Sequence, residues 1–419
     1  MKILWVSHLV PNPPKAGVLL RSHNLVKELS KHHQVDLLAF NQRGLISPYF
    51  ESYEQGTMQS YKVLSSICNK IRFIDCPTDK HKLSKFFCAL SSLFSRTPYS
   101  VNWLKSKAFA QALIEMCKET DYDAIHFDTI SLAPYIKYVT SSNLLVLTLD
   151  HHNVESHMLI RRAQQEANIL KKFYFYQEGW RLAWVEKKYC PMFHSNITCS
   201  ELDSVRFLQF IKDARFKSIP NGVDIDFFKP SHTPPESKRL IFIGTLDWYP
   251  NTRAVRFIAR EIWPRIRSKI PDIQIDIIGS RPPSDIVDIS RMDANFKVHG
   301  FVDEIQTYLD GATVYVCPIN DGGGTKLKIL DAFSSGKAVI ADPIACEGLN
   351  VQDEHNVLFA STPDEFVTQI EKIINNPDLR NKLETNARKH VESHFSFSAI
   401  GKELAEHFDL LHTQMTVIK

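Results

Sequence analysis

The stretch VYVCPINDGGGTKLKILD, residues 314–331, decides the reading of this chain. Its opening run, Val314 to Cys317, is apolar without interruption, as expected of a strand buried on both faces. Gly322, Gly323 and Gly324 follow, and from 325 to 334 the apolar spacing becomes helical. Strand, glycine turn and helix in that order form the repeating unit of an open parallel sheet. Without Cβ atoms the glycines admit a ligand close to the backbone, and the first helical N–H groups point at it unpaired. The helix dipole and the charge of Lys326 both favour an anion there.

Asp331 falls on the same helical face as Gly324, about 10 Å further along the axis. That distance keeps the carboxylate from repelling a phosphate strongly and leaves it free to accept two hydroxyl hydrogen bonds. Phosphate at one end and a diol at the other describe a nucleoside-diphosphate sugar. The competing explanation is a plain tight turn, which a lone glycine cluster would favour. Lys326 and Asp331 move the reading toward a ligand. No Gly-Lys-Ser/Thr closes the segment, which excludes a Walker-type ATPase.

Working outward, short apolar runs alternate with longer amphipathic stretches on both sides. Strands are expected at 2–7, 34–40, 70–74, 124–127, 144–149 and 196–199, and again at 239–244, 274–278, 297–299, 313–317, 338–341 and 357–359. One long helical stretch, 155–188, separates two of the earlier runs, and a helix is expected over 252–270. Pro220, Pro230, Pro234 and Pro235 suit a linker between halves. The expected fold class is α/β, with two Rossmann-like domains at 1–216 and 217–396 and a final amphipathic helix at 397–419. The 419 residues are too many for one comfortable core and fit two.

Hydrophobic content of 44% and charged content of 23% exclude disorder, and a formal net charge of +3 by itself argues neither for nor against a nucleic-acid partner; none is expected, because no dense basic cluster is interleaved with aromatics. None of the eight cysteines forms a C-x-x-C pair, so no zinc ribbon or thioredoxin motif is present, and a reduced compartment is the simpler inference. The opening apolar run is too brief for a signal peptide, and no stretch approaches the ~20 apolar residues of a spanning helix. A cytoplasmic chain is expected, at most peripheral on the inner face of a membrane.

Three further features are weaker alone. Pro11 to Gly17 connects the first strand to the first helix, where an open sheet binds ligands. The run Asp150-His151-His152-Asn153-Val154-Glu155 follows another strand, and either histidine could reach a substrate hydroxyl; the alternative is a cap at Asn153. His126, Asp128, His151, His152 and His157 show no metal-ligand spacing. Between Ser60 and Thr120 there are ten Lys/Arg against four Asp/Glu. Within it Leu83, Phe86, Phe87, Leu90, Leu93 and Phe94 recur at helical spacing. Residues 82–107 are therefore a candidate for peripheral contact with an anionic membrane, and packing into the first domain's core is the alternative.

The residues also resemble a known family. Ile219-Pro-Asn-Gly-Val-Asp224 with Phe227-Phe228-Lys229-Pro230 is similar to the interdomain signature of glycosyltransferase family 4. Phe242 to Asn251, Val298 to Val302, Gly322 to Asp331 and Glu347-Gly348-Leu349 resemble it in order and spacing, most densely over 195–397. The resemblance implies a GT-B fold, two domains facing across a cleft with a C-terminal helix crossing back. It also implies transfer from a nucleotide sugar with retained anomeric configuration and no essential metal or other cofactor.

Carried over by position, the resemblance places Lys326 on the diphosphate, where arginine is commoner. Asp331 falls where the family has a glutamate on the ribose hydroxyls, and Gly323 stands where the first glutamate of an E-x7-E pattern would be. Gly244, Thr245, Gly322, Gly324, Thr325 and Lys328 then surround the donor, with Gly279, Arg281 and Phe301 near its base. His152 matches a histidine at the donor sugar, with His151 as alternative, and Gly17 matches a loop near the phosphates. The expected partners are a UDP- or GDP-linked hexosyl donor and a glycan, lipid-linked or other hydroxyl acceptor, in cell-surface polysaccharide or glycoconjugate synthesis. The competing expectations are an epimerase or hydrolase on the same fold and a non-catalytic nucleotide-sugar-binding protein.

Overall fold

The computed structural model describes residues 1–14, 17–79, 83–140, 145–231, 238–321 and 326–417. The chain divides into two units, Met1–Pro220 with Ile400–Lys419, and Asn221–Ala399.

In the first unit seven strands form one parallel sheet: β1 (Lys2–Ser7), β2 (Gln34–Asn41), β3 (Ile71–Asp75), β4 (Ala124–Phe127), β5 (Val146–His151), β6 (Ser195–Thr198) and β7 (Phe216–Ser218), in the order β3-β2-β1-β4-β5-β6-β7. Both faces are covered, which is why the strand sequences are apolar at successive positions. Ile3 and Trp5 pack with Leu25 and Leu29 of the Gly17–Leu29 helix and with Leu404 and Phe408 of the Phe397–Val417 helix. Leu4 and Val6 face the other way, toward Phe109 and Leu113 of the Lys107–Glu119 helix.

The second unit repeats the plan with six parallel strands: β8 (Arg239–Ile243), β9 (Gln274–Ile278), β10 (Phe296–Gly300), β11 (Val314–Cys317), β12 (Ala338–Ala341) and β13 (Leu358–Phe359), in the order β10-β9-β8-β11-β12-β13. One continuous core joins this sheet to its helices. From β8 the chain first builds outward through β9 and β10, then returns to add β11 on the opposite side. Such a reversal leaves a crevice at the carboxyl ends of the two strands, where ligands of open α/β sheets bind.

The structure corrects the sequence reading in several places. The 155–188 stretch is two helices, Glu155–Gln165 and Ile169–Tyr189, because the Asn168 side chain accepts from Lys171 N and starts the second afresh. The 252–270 helix carries a wider turn at Ile258–Ile262, just before Pro264, whose ring nitrogen cannot donate to the ladder. The first sheet runs past residue 216, since Phe216–Ser218 pair with β6. The apolar residues of 82–107 do not all enter the core: Leu83, Phe86, Phe87, Leu90 and Phe94 are exposed. No helix among the described residues is long and apolar enough to cross a membrane.

Candidate functional site

In the second unit the predicted residues Gly244, Thr245 and Lys328 lie at the β8/β11 crevice. Gly244 and Thr245 follow β8, and Gly279 follows β9. Gly244 N donates to Ile278 O at 2.9 Å and Gly279 N to Gly300 O at 2.8 Å, so the strand ends are laced by backbone bonds. Gly279 has φ +156°, and a Cβ there would lie 1.7 Å from the carbonyl oxygen of Gly244. Only glycine fits, and the two turns close into one rim.

Lys328 reaches this rim from the Leu327–Ser334 helix. Its Nζ donates to Asn251 Oδ1 at 2.5 Å, and Asn251 Nδ2 donates to Thr245 O at 2.8 Å. A Cβ on Gly244 would stand 2.7 Å from that Nζ, so the glycine makes room for the ammonium. Burial pushes the Lys328 pKa down to about 8. Burial also pushes Asp331 up to about 7, against the pull of Lys328. A cation and a carboxyl, each with its pKa displaced by desolvation, are chemically able to meet a charged or strongly hydrogen-bonding partner.

Lys326 occupies the cap position of the helix, which begins at Leu327 and not at 325. Gly322, Gly323, Gly324 and Thr325 lie outside the described residues. Arg281 holds a positive φ of 53° and pairs with Asp247 at 2.5 Å on the exposed surface. Phe301 follows β10 and is exposed. Asn251 was not singled out from sequence; its polar side chain in the first turn after Trp248-Tyr249-Pro250 was the available signal.

In the first unit a second polar centre lies beyond the ends of β1, β4 and β5. Asp128, fully buried, accepts from Ser7 Oγ at 2.9 Å, Ser22 Oγ at 2.7 Å and His152 Nε2 at 3.0 Å. Burial alone would lower the His152 pKa, but the Asp128 carboxylate outweighs it and raises the value. Burial would raise Asp128, and His152 outweighs that in turn. His8 stands 5.8 Å away, ring to ring, and burial lowers its pKa to about 4, leaving it neutral. His152 Nε2 is committed to Asp128, so Nδ1 is the ring nitrogen left for a ligand.

His152 lines an open pocket of about 480 Å³ with His8, Thr129, Asn153, Glu155 and Trp103. His151, by contrast, is buried in the core, with Nε2 against Asn196 Oδ1 at 3.2 Å and its ring 4.6 Å from that of Phe207. Beneath the pocket, Arg21 clamps Asp150 through two bonds of 2.9 and 3.0 Å and donates a third to Pro220 O. Gly17 is the first residue of the first helix.

Although no metal spacing was legible in the sequence, folding brings His8, Asp128 and His152, and also His126, Asp128 and Asp150, within 4.8 Å of one another. The Asp128 oxygens take three hydrogen bonds, and the Asp150 oxygens accept both bonds of the Arg21 clamp.

The comparisons agree with this architecture. The family model described as "Glycosyl transferases group 1" matches residues 237–376. A Klebsiella pneumoniae protein described as "Uncharacterized 44.6 kDa protein in cps region" is 21% identical over 418 residues, covering 96% of this chain and 99% of that one. Sucrose-phosphate synthase from Thermosynechococcus elongatus superposes with TM-score 0.67 at 16% identity, over 99% of this chain and 100% of that one. HepE from Anabaena, solved in complex with UDP, gives TM-score 0.64 at 14% identity, over 98% and 100%. The fold is GT-B, and the matches together support a glycosyltransferase.

Proposed function

We propose that this chain is a retaining transferase that moves a hexosyl-type sugar from a UDP- or GDP-linked donor to a glycan, lipid-linked or other hydroxyl acceptor, in cell-surface polysaccharide or glycoconjugate synthesis. The observation that carries the reading is the Lys328–Asp331 pair at the β8/β11 crevice, inside the segment that the glycosyl transferase model matches. HepE, a structural neighbour, was solved with UDP, which supports a nucleotide there.

In this reading the diphosphate meets Lys326, Lys328 and the start of the Leu327–Ser334 helix, and Asp331 accepts from the ribose hydroxyls. As the bond from the anomeric carbon to the phosphate oxygen breaks, its electron pair stays on phosphate. Preorganised cations and N–H groups stabilise the charge that develops, with no essential metal. The acceptor oxygen attacks the same face of the anomeric carbon, and its proton passes to the departing phosphate oxygen. His152, fixed by Asp128 through Nε2, is the first unit's candidate for a hydrogen bond to a substrate hydroxyl through Nδ1.

The test incubates the full-length chain with a panel of UDP- and GDP-sugars and hydroxyl acceptors and follows products by mass spectrometry. Acceptor-dependent transfer with retained configuration, cut at least about a hundredfold by Lys326→Ala, is the expected result. Sugar release with no acceptor, or turnover indifferent to Lys326, would refute it.

A further inference from the structure

The Ile169–Tyr189 helix carries an apolar stripe that none of the described residues of its own unit covers. Ile169, Phe173, Tyr176, Trp180 and Trp184 recur every three or four residues, which places them on one face. All five are exposed, Trp180 at 78% and Trp184 at 59%. A helix of 21 residues is about 31 Å long, so the stripe runs well beyond the scattered apolar residues of an ordinary surface.

A second helix lies against it. Gln177 Nε2 donates to Leu93 O at 3.2 Å, and Arg181 donates to the carbonyls of Ser92 and Ser95, which fixes the Ser84–Leu93 helix beside the first. This neighbour exposes Phe86, Phe87, Leu90 and, just past its end, Phe94.

Charge selects the occupant. Lys171, Lys187 and Lys188 are exposed on the long helix, while its two acids, Glu178 and Glu186, are buried. Lys188 Nζ lies over the rings of Trp184 and Tyr189 at 5.4 and 5.1 Å. No acidic residue occurs between Asp79 and Glu115, and none from 156 to 190 is exposed. A second copy of this chain would bring lysine against lysine. Tryptophan and phenylalanine beside lysine, with no acid, suit the headgroup region of an anionic bilayer, where indole rings sit at the boundary and ammonium groups reach lipid phosphates.

We infer that the Ile169–Tyr189 and Ser84–Leu93 helices form a monotopic docking surface for an anionic phospholipid bilayer. Met158, from the helix preceding the long one, is exposed and lines the first unit's pocket, as do Lys85 and Tyr99 near the second helix. Docking by this face sets the mouth of that pocket at the lipid surface.

The test is co-sedimentation of the full-length chain with extruded vesicles, with no sugar donor present, so its outcome is independent of the transferase reading. One set is phosphatidylcholine alone; the other contains about 30% phosphatidylglycerol. The parent chain is expected to pellet with the anionic set and to be released by 0.5 M salt. Trp180→Gln/Trp184→Gln and Lys171→Glu/Lys187→Glu/Lys188→Glu are each expected to lower binding about tenfold or more, with unchanged circular dichroism. The inference is overturned by a parent chain that ignores anionic vesicles, or by either variant binding as well as the parent. It is equally overturned if sedimentation in vesicle-free buffer shows self-association that the tryptophan variant abolishes.

Discussion

Lys328→Met separates two roles of one ammonium. In the free protein the group is strained: a pKa displaced from 10.5 to about 8 corresponds to about 3 kcal/mol of unfavourable free energy for the charged form. Methionine keeps most of the stem beside Phe242, 5.2 Å from the present Nζ, and abolishes the charge. It also loses the bond to Asn251, about 1 kcal/mol. At pH 6 Asp331, with a pKa of about 7, is largely protonated in either protein and contributes little to the difference. The variant should therefore gain about 2 kcal/mol, a rise of about 4–8 °C in the second unit's melting transition by calorimetry. Donor binding moves the other way. Losing a charge-assisted contact to phosphate costs about 1.5–3 kcal/mol, which weakens UDP or GDP by about 10- to 150-fold in a calorimetric titration at pH 7.5. A variant that binds within about threefold of the parent, or that melts several degrees lower, would refute the reasoning.

Three further outcomes follow from the same geometry. At pH 8.5 Lys328 is largely neutral in the free protein, and a bound diphosphate favours its charged form. Titrations in buffers of different ionisation enthalpy should therefore show proton uptake that Lys328→Met eliminates. Gly279→Ala would press a methyl into the Gly244 carbonyl and should destabilise the second unit by about 3 kcal/mol or more, measured by urea unfolding. Asp128→Asn breaks the buried pair with His152 and should cost about 3–5 kcal/mol of first-unit stability. Because the His152 pKa is raised, the pair's contribution is complete below pH 6.5 and fades as pH rises through the folded-state value. Because the Asp128 pKa is lowered, the same contribution is lost only when pH falls below 3.8 and through its folded-state value. The deficit against the parent should be widest between about pH 4 and 6.5.

What could be read from sequence was whatever is local. Strands β1, β4, β9 and β12 have the expected bounds because each is a short, mainly apolar run. The three-residue β7 offered no such run, since all its residues are half-buried. The break at 166–168 depends on one asparagine cap inside an otherwise helical pattern. Lys328 was read as secondary to Lys326, because its partner Asn251 comes from another helix, far off in sequence. Likewise Asp128 gained its meaning only when β1, β4 and β5 brought Ser7 and His152 to it. The exposed stripe of 169–184 shows the same limit from the other side. The sequence marks 155–188 as helical but not which of its apolar residues the fold leaves uncovered.

The central claim is that the β8/β11 crevice of the second unit holds a nucleoside diphosphate. Hydrogen–deuterium exchange of the full-length chain, with and without saturating UDP or GDP, addresses it without requiring the acceptor. Slowed exchange confined to peptides spanning 244–251, 279–281 and 326–334 is the predicted result. Exchange in those peptides that stays the same under saturation would contradict it.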